Sequence, residues 1–316
     1  MDKDKERLEK ISLALSRQNI TFERIQGVPG KDVKHDDRLT DFCNNFCGDS
    51  VKGCALSHRN AWDIAHKRGY DAVLIFEDDA DIPSDLSLHL QKVWEKRPDD
   101  YDIISLGIEC FGKEYNNVCS NLQGLIGFGP TKFNKEFLKV NGQLGAHALI
   151  ISKQGIEKLR THKINGHLDA DLTIWANLYN YKLYTTDTFT VNQQDGVFES
   201  NNSVPITYPS GLNYIFKQIP LTHARNWDYG ANLSMFKLGP LKITNTIIYI
   251  FLITLFVPPL YKYIILAYLI VELIITPLFS EAAPFFTVWT AAFLISYPFY
   301  GKNFKNIKRF IKAATR

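Results

Sequence analysis

The sequence predicts an α/β fold with a mostly parallel sheet, followed by C-terminal hydrophobic membrane helices. Three observations carry that expectation. A helical stretch from Cys54 to Arg68 ends at Gly69 and is followed by the unbroken apolar run Ala72-Val73-Leu74-Ile75-Phe76, as in a strand buried on both faces. Similar runs recur at 101–106 (YDIISL) and 145–152 (GAHALIIS). Charge is also divided: residues 1–236 hold 27 Lys and Arg against 31 Asp and Glu, and residues 237–316 hold 9 against 2.

The opening stretch, Asp2 to Gln18, reads as a helix with Leu8, Ile11, Leu13 and Leu15 as its apolar positions. It is dense in charge and has no apolar run of the secretory type, so the N-terminal part is expected in the cytosol. ITFERIQGV (20–28) alternates as a strand does, and Pro29-Gly30 marks a turn. Residues 31–52 are polar and irregular. In the helix that follows, Leu56, Trp62 and Ile64 are core candidates. Ser84 to Trp94 suits a helix capped by Ser84, and the run at 145–152 leads into a helix through Leu159. A helix is expected at 168–180 and a strand at 182–191. The five cysteines, Cys43, Cys47, Cys54, Cys110 and Cys119, are expected as free thiols, since no leader directs the chain to an oxidising compartment. Cys43, Cys47, Cys54 and His58 also offer a zinc set, but their spacing matches no common short-spaced knuckle.

The most informative stretch is VLIFEDDAD, 73–81. Ionised carboxylates are costly to bury, so Glu77, Asp78, Asp79 and Asp81 should sit where the strand emerges. Ligands of open α/β sheets bind at that end. Acids crowded there repel one another unless a hard divalent cation with oxygen ligands lies among them, and such a cation also grips phosphates. A nucleotide-sugar enzyme has this need, because its leaving group is a nucleoside diphosphate. Alternation along an extended segment puts Glu77, Asp79 and Asp81 on one face, with Asp78 facing away. Asp79 is the expected main metal ligand, assisted by Glu77 and Asp81. A solvated acidic loop is the competing explanation, and the apolar strand before the acids favours the metal site.

The segment GCALSHRNAWDIAHKRGYDAVLIFEDDA, 53–80, closely resembles the signature of family-25 glycosyltransferases. These include bacterial lipooligosaccharide galactosyltransferases and collagen galactosyltransferase domains. FERIQGVPG (22–30), GAHALIISKQGIEKL (145–159), and HLDADL (167–172) with Gln193, Gln194 and Ser200 extend the resemblance over about residues 5–205. It implies a GT-A fold, a UDP-galactose or UDP-glucose donor, Mn²⁺ or another divalent cation, and inversion at the anomeric carbon. It also implies a general base at Asp169 or Asp171, with Asp169 preferred; N-capping is the alternative role for Asp169. Ser57, His58, Glu77, Asp78 and His147 are the donor-side candidates, while His58 and His147 suit equally a buried, backbone-bonded role. Family members usually open with a V-I-N-L strand and a polar, arginine-bearing segment. Here Asp4, Glu6 and Arg7 match the later segment, with no strand before it. The expected activity is hexose transfer to a glycan, lipid-linked or protein hydroxyl. The alternative is an inactive membrane protein using a degenerate domain for glycan or partner binding.

Three apolar stretches, 243–260, 263–279 and 284–300, are each close to the length of a bilayer crossing. Lys237 and Lys242 precede them, and Lys302, Lys305, Lys308, Arg309, Lys312 and Arg316 follow, which places both flanks on the cytosolic side. Two crossings and one interfacial piece reconcile three stretches with that rule. The expected division is a catalytic domain at 1–236, a membrane-associated region at 237–300 and a basic tail at 301–316, with the catalytic domain cytosolic. The acidic front part excludes a nucleic-acid partner, which would call for a basic stripe.

Overall fold

The computed structural model describes residues 5–108, 129–142, 144–187, 191–193, 208–221, 226–239 and 241–314, with side chains through 298. Two compact units divide the chain, residues 1–202 with 220–225 and residues 203–219 with 226–316.

The first unit runs α1 (Lys5–Ser16), α2 (Asp41–Phe46), α3 (Asp49–Lys67), β1 (Ala72–Phe76), β2 (Ala80–Asp81), α4 (Leu86–Lys96), β3 (Ile103–Ser105), β4 (Thr131–Lys132), β5 (Phe137–Val140), β6 (Ala148–Ser152), α5 (Lys153–Thr161), α6 (Leu168–Tyr179), β7 (Leu183–Thr186) and β8 (Asn192–Gln193). Six strands form one sheet in the order β1-β6-β3-β7-β5-β4. Val73 and Ile75 of β1 pack into a core with Leu56 and Trp62 of α3 and Leu172 and Trp175 of α6. Ala72, Leu74 and Phe76 pack into the opposite core with Ile11 and Leu15 of α1 and Leu86 and Val93 of α4. Helices therefore cover both faces, the three-layer arrangement that unbroken apolar strands require. Ser152 ends β6 and starts α5, its hydroxyl accepting from Gly155 N at 3.0 Å.

The mostly parallel sheet is met only in part. The sheet is mixed: β3 and β7 pair in parallel, while β6 runs antiparallel to both β1 and β3, and β5 antiparallel to β7 and β4. β1, β3 and β7 do share one direction, with β6 reversed between β1 and β3. Apolar runs report that both faces are covered and are silent on strand direction. β1 is also only half-buried, because it borders the sheet among the described residues.

Residues 20–28 form no strand. Alternation favours an extended backbone; a strand also needs a neighbour, and this segment leans on α3 instead. Val28 N donates to Ser57 Oγ at 2.9 Å. A Cβ at Gly30 would stand 1.7 Å from the Asp49 carbonyl oxygen, so glycine is required for the approach of this turn to α3. The fourth helix begins at Leu86 with Asp85 as its cap residue, one position beyond the expected cap Ser84. The expectation of free thiols is corrected at one pair: Cys43 and Cys47 form a disulfide. Cys47 is the extended cap that follows α2, and its Cα lies 4.5 Å from that of Cys43, within reach of a bridge. Cys54 is free, and Cys110 and Cys119 lie outside the described residues.

The second unit holds α7 (Ser210–Phe216), α8 (Trp227–Ala231), the hairpin β9 (Ser234–Leu238) and β10 (Leu241–Thr244), then α9 (Asn245–Phe256), α10 (Pro259–Ile275) and α11 (Phe279–Ala314). Pro258 separates α9 from α10, which opens on Pro259, and Pro277 lies between α10 and α11. Three apolar helices thus replace the three stretches, with shifted bounds. Among the described residues one segment, Phe279–Pro298, is long and apolar enough to cross a membrane; α9, at 12 residues, spans only about 18 Å.

The polarity of these helices runs opposite to that of the first unit. Lys262 and Glu272 are 2% and 5% exposed, whereas Phe256 and Ile274 are 73% and 75% exposed. Lys262 Nζ donates to Leu255 O at 3.3 Å and to Ser296 Oγ. Glu272 accepts from Ser210 Oγ at 2.7 Å and Gly211 N at 2.9 Å. Tyr208 is fully buried, packs edge-on to Phe285, and donates its hydroxyl to Leu269 O at 2.6 Å.

Candidate active site

The acids begin where β1 leaves the sheet. Glu77 N donates to the His147 carbonyl at 2.9 Å, one step beyond the Phe76–Ala148 pair, so the acidic turn stays beside the start of β6. Ala80 and Asp81 then pair antiparallel with Gln193 and Asn192. That short ladder delivers Gln193, whose Nε2 donates to Asp79 Oδ2 at 2.7 Å. The other oxygen, Asp79 Oδ1, is buried and has no hydrogen-bond partner among the described residues. Burial, followed by the charge of Glu77, pushes the Asp79 pKa up to about 6 against the opposing hydrogen bond from Gln193.

Around this carboxylate stand three elements. From α3, His58 Nε2 lies 2.9 Å from Glu77 Oε1, and the Cys54 thiol, one helical turn earlier, lies 3.9 Å from the same oxygen. From α1, the Arg7 guanidinium donates to Asp78 Oδ1 at 3.4 Å. From the first turn of α6, Asp169 accepts from Gly145 N at 3.5 Å and from Ala170 N at 2.9 Å. Burial and then the charges of Glu77, Asp169, Asp79 and Asp78 push the Cys54 thiol well up, which places Asp169 in the electrostatic neighbourhood of the strand-end acids.

Other candidates hold structure around this cluster. Asp171 is buried and accepts from Asn165 N at 2.7 Å and Gly166 N at 3.0 Å, tying the loop before α6 to its first turn. Burial raises its pKa, and those two backbone bonds oppose the rise. Ser57 Oγ accepts from Val28 N and donates to Gly53 O at 2.6 Å. Buried His147 donates Nε2–H to Val191 O at 3.2 Å, and a Cβ at Gly107 would stand 2.1 Å from that nitrogen. Asp81 is exposed on β2.

The structure thus brings together His58, Glu77, Asp78, Asp79 and Asp169 from the expected set. It adds Arg7 and Gln193, to which sequence reasoning gave no separate role, and Cys54, which that reasoning weighed only in a zinc set with Cys43, Cys47 and His58. Their signals were present: Cys54 and His58 are four apart on a helix, and Arg7 and Gln193 fall in segments that carry the family resemblance.

The model of glycosyltransferase family 25 (LPS biosynthesis protein) matches residues 1–174, which run from α1 into α6 and include every strand-end acid and Asp169. The chain is therefore a glycosyltransferase. It belongs to glycosyltransferase family 25, whose chemistry is sugar transfer. No curated protein matches the chain.

Proposed function

We propose that the chain is an inverting, metal-dependent hexosyltransferase of GT-A fold that moves galactose or glucose from a UDP-sugar to a hydroxyl of a glycan, lipid-linked or protein acceptor. The observation that carries this is Asp79 Oδ1, a buried carboxylate oxygen without a hydrogen-bond partner among the described residues, in a turn crowded with acids. Such an oxygen costs stability unless a ligand satisfies it. Asp79, with Glu77 and with exposed Asp81 assisting through water, would hold Mn²⁺ or another divalent cation. When bound, that ion supplies charge neutralisation for the departing diphosphate. Arg7 adds a fixed positive charge beside Asp78, His58 lines the donor side, and buried His147 holds the backbone behind it through Val191 O. Asp169, half-buried and near the cluster, takes the proton of the acceptor hydroxyl as its oxygen attacks the anomeric carbon. Asp171 serves by fixing the start of α6.

Residues 1–236 are the catalytic part in this reading, 237–300 the membrane part and 301–316 a basic tail for anionic headgroups. Apolar exteriors on α9, α10 and α11, with Lys262 and Glu272 held inside, support membrane association, and the basic flanks at Lys237, Lys242 and the tail favour the catalytic part on the cytosolic side.

The test is UDP release by the full chain in detergent, with Mn²⁺, a panel of UDP-hexoses and a lipid-linked or peptide acceptor. One or two donors should be consumed, with Asp79→Asn inactive. If no donor turns over, or Asp79→Asn matches the unaltered enzyme, the proposal fails.

A further inference from the structure

Cys54 and His58 lie one helical turn apart on α3, and both side chains meet Glu77 at the end of β1. Cys54 Sγ, His58 Nε2 and Glu77 Oε1 all lie within 4.8 Å of one another. We propose that these three residues form a transition-metal site of the zinc type, distinct in chemistry from the all-carboxylate set around Asp79. It shares Glu77 with that carboxylate set and takes its sulfur and nitrogen donors from α3, and its tests read metal binding without turnover.

The geometry is close to what such an ion needs. Donor atoms on a tetrahedral zinc ion, with bonds of about 2.0–2.3 Å, stand roughly 3.3–3.6 Å apart. Here Nε2–Oε1 is 2.9 Å and Sγ–Oε1 is 3.9 Å, on either side of that range, so small side-chain rotations suffice. His58 is 5% exposed, and its Nδ1 is buried with no hydrogen-bond partner among the described residues. Without an ion, Nε2–H donates to the Glu77 carboxylate at 2.9 Å; an ion bound here takes the place of that proton, which moves to Nδ1 and leaves the Nε2 lone pair to the metal. Cys43 and Cys47 are joined in a disulfide, so among the described residues Cys54 is the thiol that can supply sulfur to this site. A thiolate with an imidazole selects zinc or cobalt over magnesium or manganese. Three protein ligands leave a fourth position open, the composition of sites that exchange a water or a substrate atom. Binding displaces the thiol proton to solvent.

Cobalt is the spectroscopic probe. Titrated into the full chain in detergent, Co²⁺ should give a thiolate-to-metal charge-transfer band that saturates at one ion per chain and is lost on addition of zinc. Cys54→Ala should lose the band, with near-ultraviolet circular dichroism confirming that the variant is folded. A parallel measurement needs no variant: zinc should slow alkylation of the Cys54 peptide in the unaltered chain, followed by mass spectrometry, while magnesium should not. No charge-transfer band, a band that persists in folded Cys54→Ala, or alkylation at the same rate with and without zinc overturns the proposal. Because neither readout uses turnover, an inactive transferase would leave the result intact.

Discussion

Asp79 has one oxygen held by Gln193 and the other buried without a hydrogen bond, and burial with the neighbouring Glu77 charge lifts its pKa from 3.8 to about 6. A carboxyl whose folded pKa is raised favours the folded state while protonated. In metal-free protein its contribution is full below about pH 4 and disappears as pH rises through about 6. Thermal melts in chelator should therefore show stability falling between these values, and Asp79→Asn should flatten that slope. Added Mn²⁺ at neutral pH should restore much of the loss. The two aspartates at the start of α6 should separate by readout. Asp169→Asn should lower kcat by about 10²–10⁴ while leaving UDP binding near its original strength. Asp171→Ala leaves the Asn165 and Gly166 amides without their acceptor, and should cost about 1–3 kcal/mol in denaturant unfolding.

Among the elements, β1 was legible to the residue, because an apolar run bounded by Gly69 and by acids can emerge only at those points. What periodicity could not supply was pairing. It reports whether a side chain meets a core, so β6 lying antiparallel between β1 and β3 left no mark in composition. ITFERIQGV shows the complementary failure: its alternation was genuine, yet its anchor is the Ser57 hydroxyl on a helix 29 positions away. The strand-end acids were legible for the same reason as β1, whereas the proximity of Asp169, Gln193 and Arg7 depends on tertiary packing. The turn at Pro29-Gly30 permits a direct check. Gly30→Ala forces a methyl group into the Asp49 carbonyl, so the melting temperature should fall and exchange at the Val28 amide should accelerate. Unchanged exchange would mean that this close approach does not hold the segment.

For the molecule as a whole, hydrophobic length located the three apolar helices but overstated how many are long enough to cross a bilayer. The reason is local: paired prolines at 258 and 259 end α9 after 12 residues. If the membrane reading is right, the full chain should float with anionic vesicles in a density gradient. High salt should weaken an association made by the basic tail alone, and should spare one made by apolar burial. Recovery in the soluble fraction without detergent would exclude both modes.

Glu272 also bears on how the enzyme can be trimmed for study. Its carboxylate, with Leu269 and Phe285, holds residues 208–211, which precede the apolar helices by more than thirty positions. Cutting the chain just ahead of Asn245 to obtain a detergent-free fragment would strip Tyr208 of its burial and Ser210 of its acceptor. Such a fragment should be shortened to about residue 202 as well, or carry a sticky, protease-sensitive end.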